Sequence, residues 1–306
     1  MTHQDIFDSL TRNAFDFLER GIAEFDQTPK YSVIHFCAAV EMLLKARLMK
    51  EHWSLIVSKP EQANLTEFMA GNFKSATLED CRTRIRNVAG EVIGDDAYNS
   101  FRAMANHRNK MVHFFHNGLE NDEKAKEQIV AEQCLAWLHL HRLLSRWNTY
   151  FHDFRNEITR ADSVMLRHRT YLSAKFNALK HDLDTARAVG NAPEECPACG
   201  YQALNTRTGD RYISDQCRVC GYESPSHKAI QQGEEQFVAN CANCDGIESV
   251  IEAGFGYKCT ECDEIFTEVE TCGYCNANWV GVDESFGDAA TGCDHCGGIL
   301  ANARDD

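Results

Sequence analysis

No run of about 18 apolar residues occurs in the sequence, so no membrane-spanning helix is expected. The opening stretch, MTHQDIFDSL, lacks the basic segment and apolar run of a secretory leader. A cytoplasmic chain without a membrane partner is the expectation. Two residue types are scarce in one half only. Residues 191–306 hold six basic residues (Arg207, Arg211, Arg218, Lys228, Lys258 and Arg304) against 21 acidic ones. That stretch therefore carries the whole formal charge of −15, and residues 1–190 are neutral overall. Such a balance repels phosphate and argues against nucleic-acid binding by the second half. Cysteine is scarce in the other half. Only Cys37, Cys81 and Cys134 precede residue 195, and twelve of the 15 cysteines follow it.

What is present fits two kinds of structure. The 306 residues suffice for two ordinary domains, and a 43% hydrophobic share allows a packed core. Over residues 5–50, Ile6, Leu10, Ala14, Phe17, Leu18 and Ile22 recur at helical spacing. Thr28-Pro29 then breaks the pattern, and YSVIHFCAAVEMLLKARLMK is apolar on most sides, as a central buried helix is. Residues 60–94 read as short helices and loops. Strong helices are expected over 95–118, with Asn117-Gly118 as the stop, and over 121–151. A more polar helical connector covers 156–190, ended by Gly190 and Pro193. The expected division is a helical bundle over 1–155, this connector, and a β-rich module over 191–306.

The late cysteines obey one spacing rule. Cys196-x2-Cys199 pairs with Cys217-x2-Cys220, Cys241-x2-Cys244 with Cys259-x2-Cys262, and Cys272-x2-Cys275 with Cys293-x2-Cys296. Two CxxC loops close a four-thiolate tetrahedral site, and a cytosolic chain favours metal over disulfides. Three small β-ribbons holding three structural zinc ions are expected, with iron left open as an occupant. Closed four-thiolate sites offer no open position for catalysis. The acidic module is expected to meet a protein partner with a basic surface.

One residue in the helical half is out of place. On an ideal helix over 95–118, Ala97, Phe101, Met104, Ala105, Met111, Val112 and Phe115 form an apolar stripe, and Arg108 falls inside it. Asn109, His113 and His116 lie on its flank. An arginine in such a stripe either pairs with a buried acid or faces a cleft or partner. Glu41, in the apolar second helix with Lys45 one turn on, is the candidate acid. Alternatively Arg108 is a bidentate phosphate donor and His113 a proton-transfer group. About 140° separates the two on one helix, so a composite site across a two-fold axis would focus them better.

The stretch RNKMVH, with Arg108, Asn109 and His113, resembles the R-x4-6-H motif of HEPN domains. YSVIHFCAAVEMLLKARL resembles the second helix of the same fold. The resemblance covers about residues 1–155. It implies an all-α, up-and-down HEPN-like bundle that dimerises and a metal-independent endoribonuclease of toxin or antiviral defence. In that chemistry the ribose 2′-OH attacks the adjacent phosphate and leaves 2′,3′-cyclic phosphate and 5′-OH ends. Arg108 would stabilise the phosphorane, His113 would move a proton or contact phosphate, and Asn109 would assist. Arg82, Arg84, Arg86, Arg102 and Lys110 would guide an RNA substrate. The alternative is a non-catalytic HEPN-like interaction protein whose helical half only dimerises or binds nucleotide and whose ribbons bridge other proteins.

Overall fold

A computed structural model describes residues 2–113, 123–208, 213–225, 237–283, 286, 292–293 and 295–297. The chain divides into two compact units, Met1–Ala174 and Lys175–Asp306. The first is helical and the second is built of short strands around cysteine clusters.

In the first unit α1 (His3–Ala23) and α2 (Pro29–Met49) pack as an antiparallel pair joined by a short turn. A capping box starts α1: Thr2 accepts from the Asp5 amide, and the Asp5 carboxylate accepts from the Thr2 amide. The central helix is α2, whose Val33, Phe36, Val40, Leu43, Leu44 and Leu48 are all buried. The α1–α2 crossing is close at Gly21. A Cβ there would meet the Phe36 nitrogen and the Ser32 oxygen at 3.2 Å. Ser32 fixes the same spot, donating to the Gly21 carbonyl (2.6 Å) and accepting from Gln133 (2.7 Å). Short α3 (Leu65–Met69) and α4 (Leu78–Asn87) lead to α5 (Asp95–His113). The long α6 (Glu123–Arg146) follows, then α7 (Arg155–Met165) and α8 (Arg169–Ala188).

Arg47 on α2 is fully buried and is neutralised by Glu51 (2.8 Å) and Glu91. Its guanidinium lies 3.8 Å from the centre of the Tyr150 ring. Buried charge survives only when paired and hydrogen-bonded in this way.

Residues 156–174, expected within a polar connector, pack into the first unit. Ile158, Ala161, Met165, Leu166 and Tyr171 are buried. Asp162 accepts hydrogen bonds from Trp137 of α6 (3.1 Å) and Tyr171 of α8 (2.6 Å). The connector's polar excess hid a narrow apolar stripe. The rest of α8 belongs to the second unit, where Phe176 stacks on Tyr201 and Asp182 binds Arg218 at 2.8 Å. The expected helix stop at Asn117-Gly118, and Phe115 and His116, lie outside the described residues.

The second unit has two sheets. The first has the order β1 (Glu194–Glu195), β2 (Gln202–Thr208), β3 (Ile213–Cys217) and β4 (Glu223–Pro225), all antiparallel. The second comprises β5 (Ala239–Cys241), β6 (Gly246–Ala253), β7 (Gly256–Cys259), β8 (Ile265–Phe266), β9 (Glu270–Thr271) and β10 (Asn278–Val280). Its spatial order is β8-β7-β6-β5-β10-β9. The last two ribbons are therefore not independent: β10 pairs parallel to β5, setting Val280 beside Cys241, and one six-stranded sheet results. Little apolar mass supports it. Its core is Ala239, Val250 and Val280 around Cys241 and Cys259, with Phe237, Tyr257 and Phe266 at the margin.

Candidate functional site

Ala97, Phe101, Met104 and Met111 of α5 are buried, which fixes the inward face, and Arg108 stands on that face as its wheel position requires. Val112, expected in the same stripe, is exposed instead. The Arg108 guanidinium donates to the Glu41 carboxylate across the α2–α5 contact at 2.7 Å. Both side chains remain about a third exposed (33% and 31%). Lys45, one turn along α2, lies 3.6 Å from the same carboxylate and donates to the Ser75 hydroxyl at 3.1 Å. Among the described residues two cations thus share this one acid, and the buried Arg108 Nε has no hydrogen-bond partner. Cys37 is buried beside this group, and burial pushes its thiol up to about 12.

The flanking residues divide. Asn109 is exposed beside Arg108. His113 is the last residue of α5, and its side chain lies outside the described part of the structure. His107 is held by Glu132 at 2.8 Å. A hollow of about 10 Å³ lined by Cys37, Glu41, Phe101 and Met104 has room for about one water.

Of the basic residues expected to guide RNA, Arg84 is committed elsewhere. It donates to the carbonyls of Leu55 (2.6 Å), Val57 (2.7 Å) and Ser58 (2.8 Å), tying α4 to the preceding loop. Arg82 pairs with Asp95 and lies over the Tyr98 ring. Arg102 also lies over Tyr98, and Arg102, Arg86 and Lys110 are exposed.

The twelve late cysteines assemble in the expected sequential scheme. Cys196, Cys199, Cys217 and Cys220 form one group, Cys241, Cys244, Cys259 and Cys262 the second, and Cys272, Cys275, Cys293 and Cys296 the third. In every group the four sulfurs lie within 4.8 Å of one another. Between the two loops of each group, sulfurs approach to 3.6 Å (Cys196–Cys220), 3.6 Å (Cys244–Cys259) and 3.7 Å (Cys272–Cys296 and Cys275–Cys293). A tetrahedron of thiolates about 2.3 Å from zinc has edges of about 3.8 Å, whereas a disulfide needs about 2.05 Å. The geometry fits three structural zinc ions, each closed by four protein ligands. When bound, each zinc cross-links two CxxC loops.

Comparison with family models, with curated proteins and with solved structures yields no match.

Every CxxC loop is shaped by the residue that follows its second cysteine. Gly200 and Gly221 (φ 74°), Asp245 (58°), Asp263 (63°), Asn276 (58°) and Gly297 (63°) all occupy the left-handed region. The turn lets the following amide return to the carbonyl of the first cysteine, as Gly200 does to Cys196 (2.8 Å) and Asn276 to Cys272 (3.0 Å). Cysteine spacing alone does not single out these six residues. Their signal was in the sequence: Gly, Asp and Asn are the types that tolerate this conformation.

Without metal the crowded thiols of each group split: Cys196, Cys220, Cys241, Cys244 and Cys275 are raised, and Cys199, Cys217, Cys259 and Cys272 are lowered. Neighbouring thiols Cys196, Cys199 and Cys220 hold Cys217 well below the usual thiol range. Burial works against ionisation of Cys259, but the Ser249 hydroxyl at 3.3 Å and the amides of Cys262 and Glu261 bring it down to about 6. Burial likewise opposes ionisation of Cys272, while the Cys275 and Tyr274 amides bring it to about 6. Thiolate is the form that binds metal. Burial grades the three groups. All four cysteines of the first are buried, the second has Cys244 and Cys262 partly exposed, and Cys275 of the third is exposed.

Proposed function

We propose that the protein is a metal-independent endoribonuclease of the HEPN type, acting as a homodimer, with a zinc-ribbon module that recognises a protein partner or trigger. Its setting would be toxin or antiviral defence. The observation that carries this reading is the charge balance at Glu41. A purely structural pair needs one cation, yet Arg108 and Lys45 share this carboxylate. Glu41 aims the guanidinium, and the second cation with the exposed portion of Arg108 is suited to a phosphate.

One chain offers little concavity at this position, since the neighbouring hollow admits about one water. A second copy placed against α5 would supply the other wall and bring two Arg108 and two His113 residues to one RNA phosphate. Arg108 would then stabilise charge on the phosphorane, His113 would move a proton at the attacking or leaving oxygen, and Asn109 would orient the substrate. The zinc ions take no part in that step, because all four ligands of each are thiolates of this chain.

Purified protein incubated with single-stranded RNA in EDTA is expected to cut it. Arg108→Ala and His113→Ala should abolish cutting, and Asn109→Ala should slow it. Equal cutting by the Arg108 and His113 variants would remove the assignment.

A second reading has its own support. The 2.7 Å bond to Glu41 already satisfies one face of the guanidinium. A non-catalytic HEPN-like adaptor would need no more. Absence of cleavage under every condition, with a stable complex recovered through the acidic module, would favour the adaptor.

A further inference from the structure

The third cysteine group differs from the other two in ways that its spacing does not show. Of the twelve ligands, Cys275 alone is exposed. The turn that carries it, residues 273–275, is exposed throughout. Its sulfur lies 3.7 Å from that of Cys293 on the facing loop, a short movement from the disulfide length of about 2.05 Å. The first group is covered instead. The β6–β7 hairpin lies against both of its loops: the Gly254 amide donates to the Cys220 carbonyl (2.9 Å), and the Lys258 ammonium donates to the Ala198 carbonyl (3.2 Å).

Little else holds the third group together. Its buried core is Cys272, Cys293 and Trp279, so two of the three residues are metal ligands. Trp279 sits on β10, the strand that joins this ribbon to β5. Its indole Nε1 is buried and has no hydrogen-bond partner among the described residues. A buried donor without an acceptor costs free energy that exposure to water returns. Without a metal cross-link so small a core does not hold a ribbon folded. Release of β10 would leave β5 with one side unpaired, as the edge of the sheet.

We infer that Cys275 is an oxidation site for a hydroperoxide, and that its modification opens the third ribbon while the first stays closed. The inference rests on the zinc assignment and not on the ribonuclease reading. Bound zinc keeps its ligand thiols deprotonated, and thiolate is the nucleophilic form. The Cys275 thiolate attacks one oxygen of hydrogen peroxide; the O–O bond breaks, hydroxide leaves and a sulfenic acid forms. The Cys293 thiolate then attacks the Cys275 sulfur and expels a second hydroxide, which gives the Cys275–Cys293 disulfide. Two thiolates are oxidised, one peroxide is reduced, and two protons from solvent convert both hydroxides to water. The oxidised pair no longer ligates metal. β10 then parts from β5, and Trp279 reaches water.

The test treats full-length zinc-loaded protein with hydrogen peroxide. Released zinc is followed with a chromophoric chelator, and oxidised cysteines are located by peptide mapping. The third ion is expected to leave about tenfold faster than the first or more, with Cys275 joined to Cys293 and the first group still reduced. Tryptophan emission should shift to the red in step with that release, and the shift reports Trp279, because Trp53, Trp137 and Trp147 lie in the first unit. Dithiothreitol with added zinc should reverse both changes. Oxidation that begins in the first or second group would overturn the inference, as would release of all three ions at one rate. So would loss of the third ion with Cys275 still reduced, or with the emission unchanged.

Discussion

Two arginines show how burial separates roles that look alike in the sequence. Arg47 is fully buried and is shared by two partly exposed acids, Glu51 and Glu91, so removing it takes the cation from both and empties its buried place over Tyr150. Arg47→Met is expected to cost about 3 kcal/mol or more. Arg108 and Glu41 are each about a third exposed, so Arg108→Ala should cost about 1 kcal/mol or less. Chemical denaturation of the two variants measures the difference; a larger loss for Arg108→Ala would mark it as the structural arginine. The cysteines divide similarly. Burial raises the thiols of Cys37, Cys81 and Cys134 to about 12, so native protein should leave them unalkylated at neutral pH. Cys259 and Cys272 are depressed to about 6 from the ordinary 9.0. A depressed folded-state value contributes stability above the unfolded value and loses it as pH falls through the folded one. Protons compete with zinc for these thiolates, so acid should strip the ions, the exposed third centre before the buried first. Loss of the first ion before the third would contradict the grading by burial.

At the scale of elements, spacing made the three cysteine groups legible because a CxxC loop has one reach and zinc one geometry. The merger of the last two ribbons was not legible. It rests on a two-residue parallel pairing between β5 and β10, and contacts that short leave no periodicity to read. The connector was misjudged for a related reason: a few buried side chains on α7 outweigh its many polar ones. Arg84 was expected to face RNA, and the three carbonyls it binds lie 26 to 29 residues away in the chain, beyond any local pattern. The helical half was read more easily, since long amphipathic helices carry their own period. Because β10 bridges two centres, Cys275→Ser should loosen the third zinc and quicken loss of the second while sparing the first. Zinc release followed by a chromophoric chelator tests this, and equal acceleration at all three centres would contradict the shared sheet. In the wild type the third ion should leave first, since Cys275 is exposed and all four ligands of the first centre are buried.

At the scale of the molecule, charge and chemistry are divided between the halves. The acidic charge lies in the stretch that holds the zinc, and each four-thiolate zinc adds about two further negative charges. On the proposed function RNA would meet the helical unit, and the acidic unit would take a partner of opposite charge, with an association that weakens as salt rises. The resemblance of RNKMVH to the R-x4-6-H motif named a chemistry, the helical wheel singled out Arg108, and the one-turn spacing of Glu41 and Lys45 already set a second cation beside the candidate acid. The most direct measurement is the mass of the RNA fragments. Wild-type protein, without free divalent metal, should yield 2′,3′-cyclic phosphate and 5′-hydroxyl ends, and Arg108→Ala, with its zinc content and helicity unchanged, should leave the RNA intact. Fragments ending in 3′-hydroxyl, or cutting by Arg108→Ala at the wild-type rate, would contradict the account.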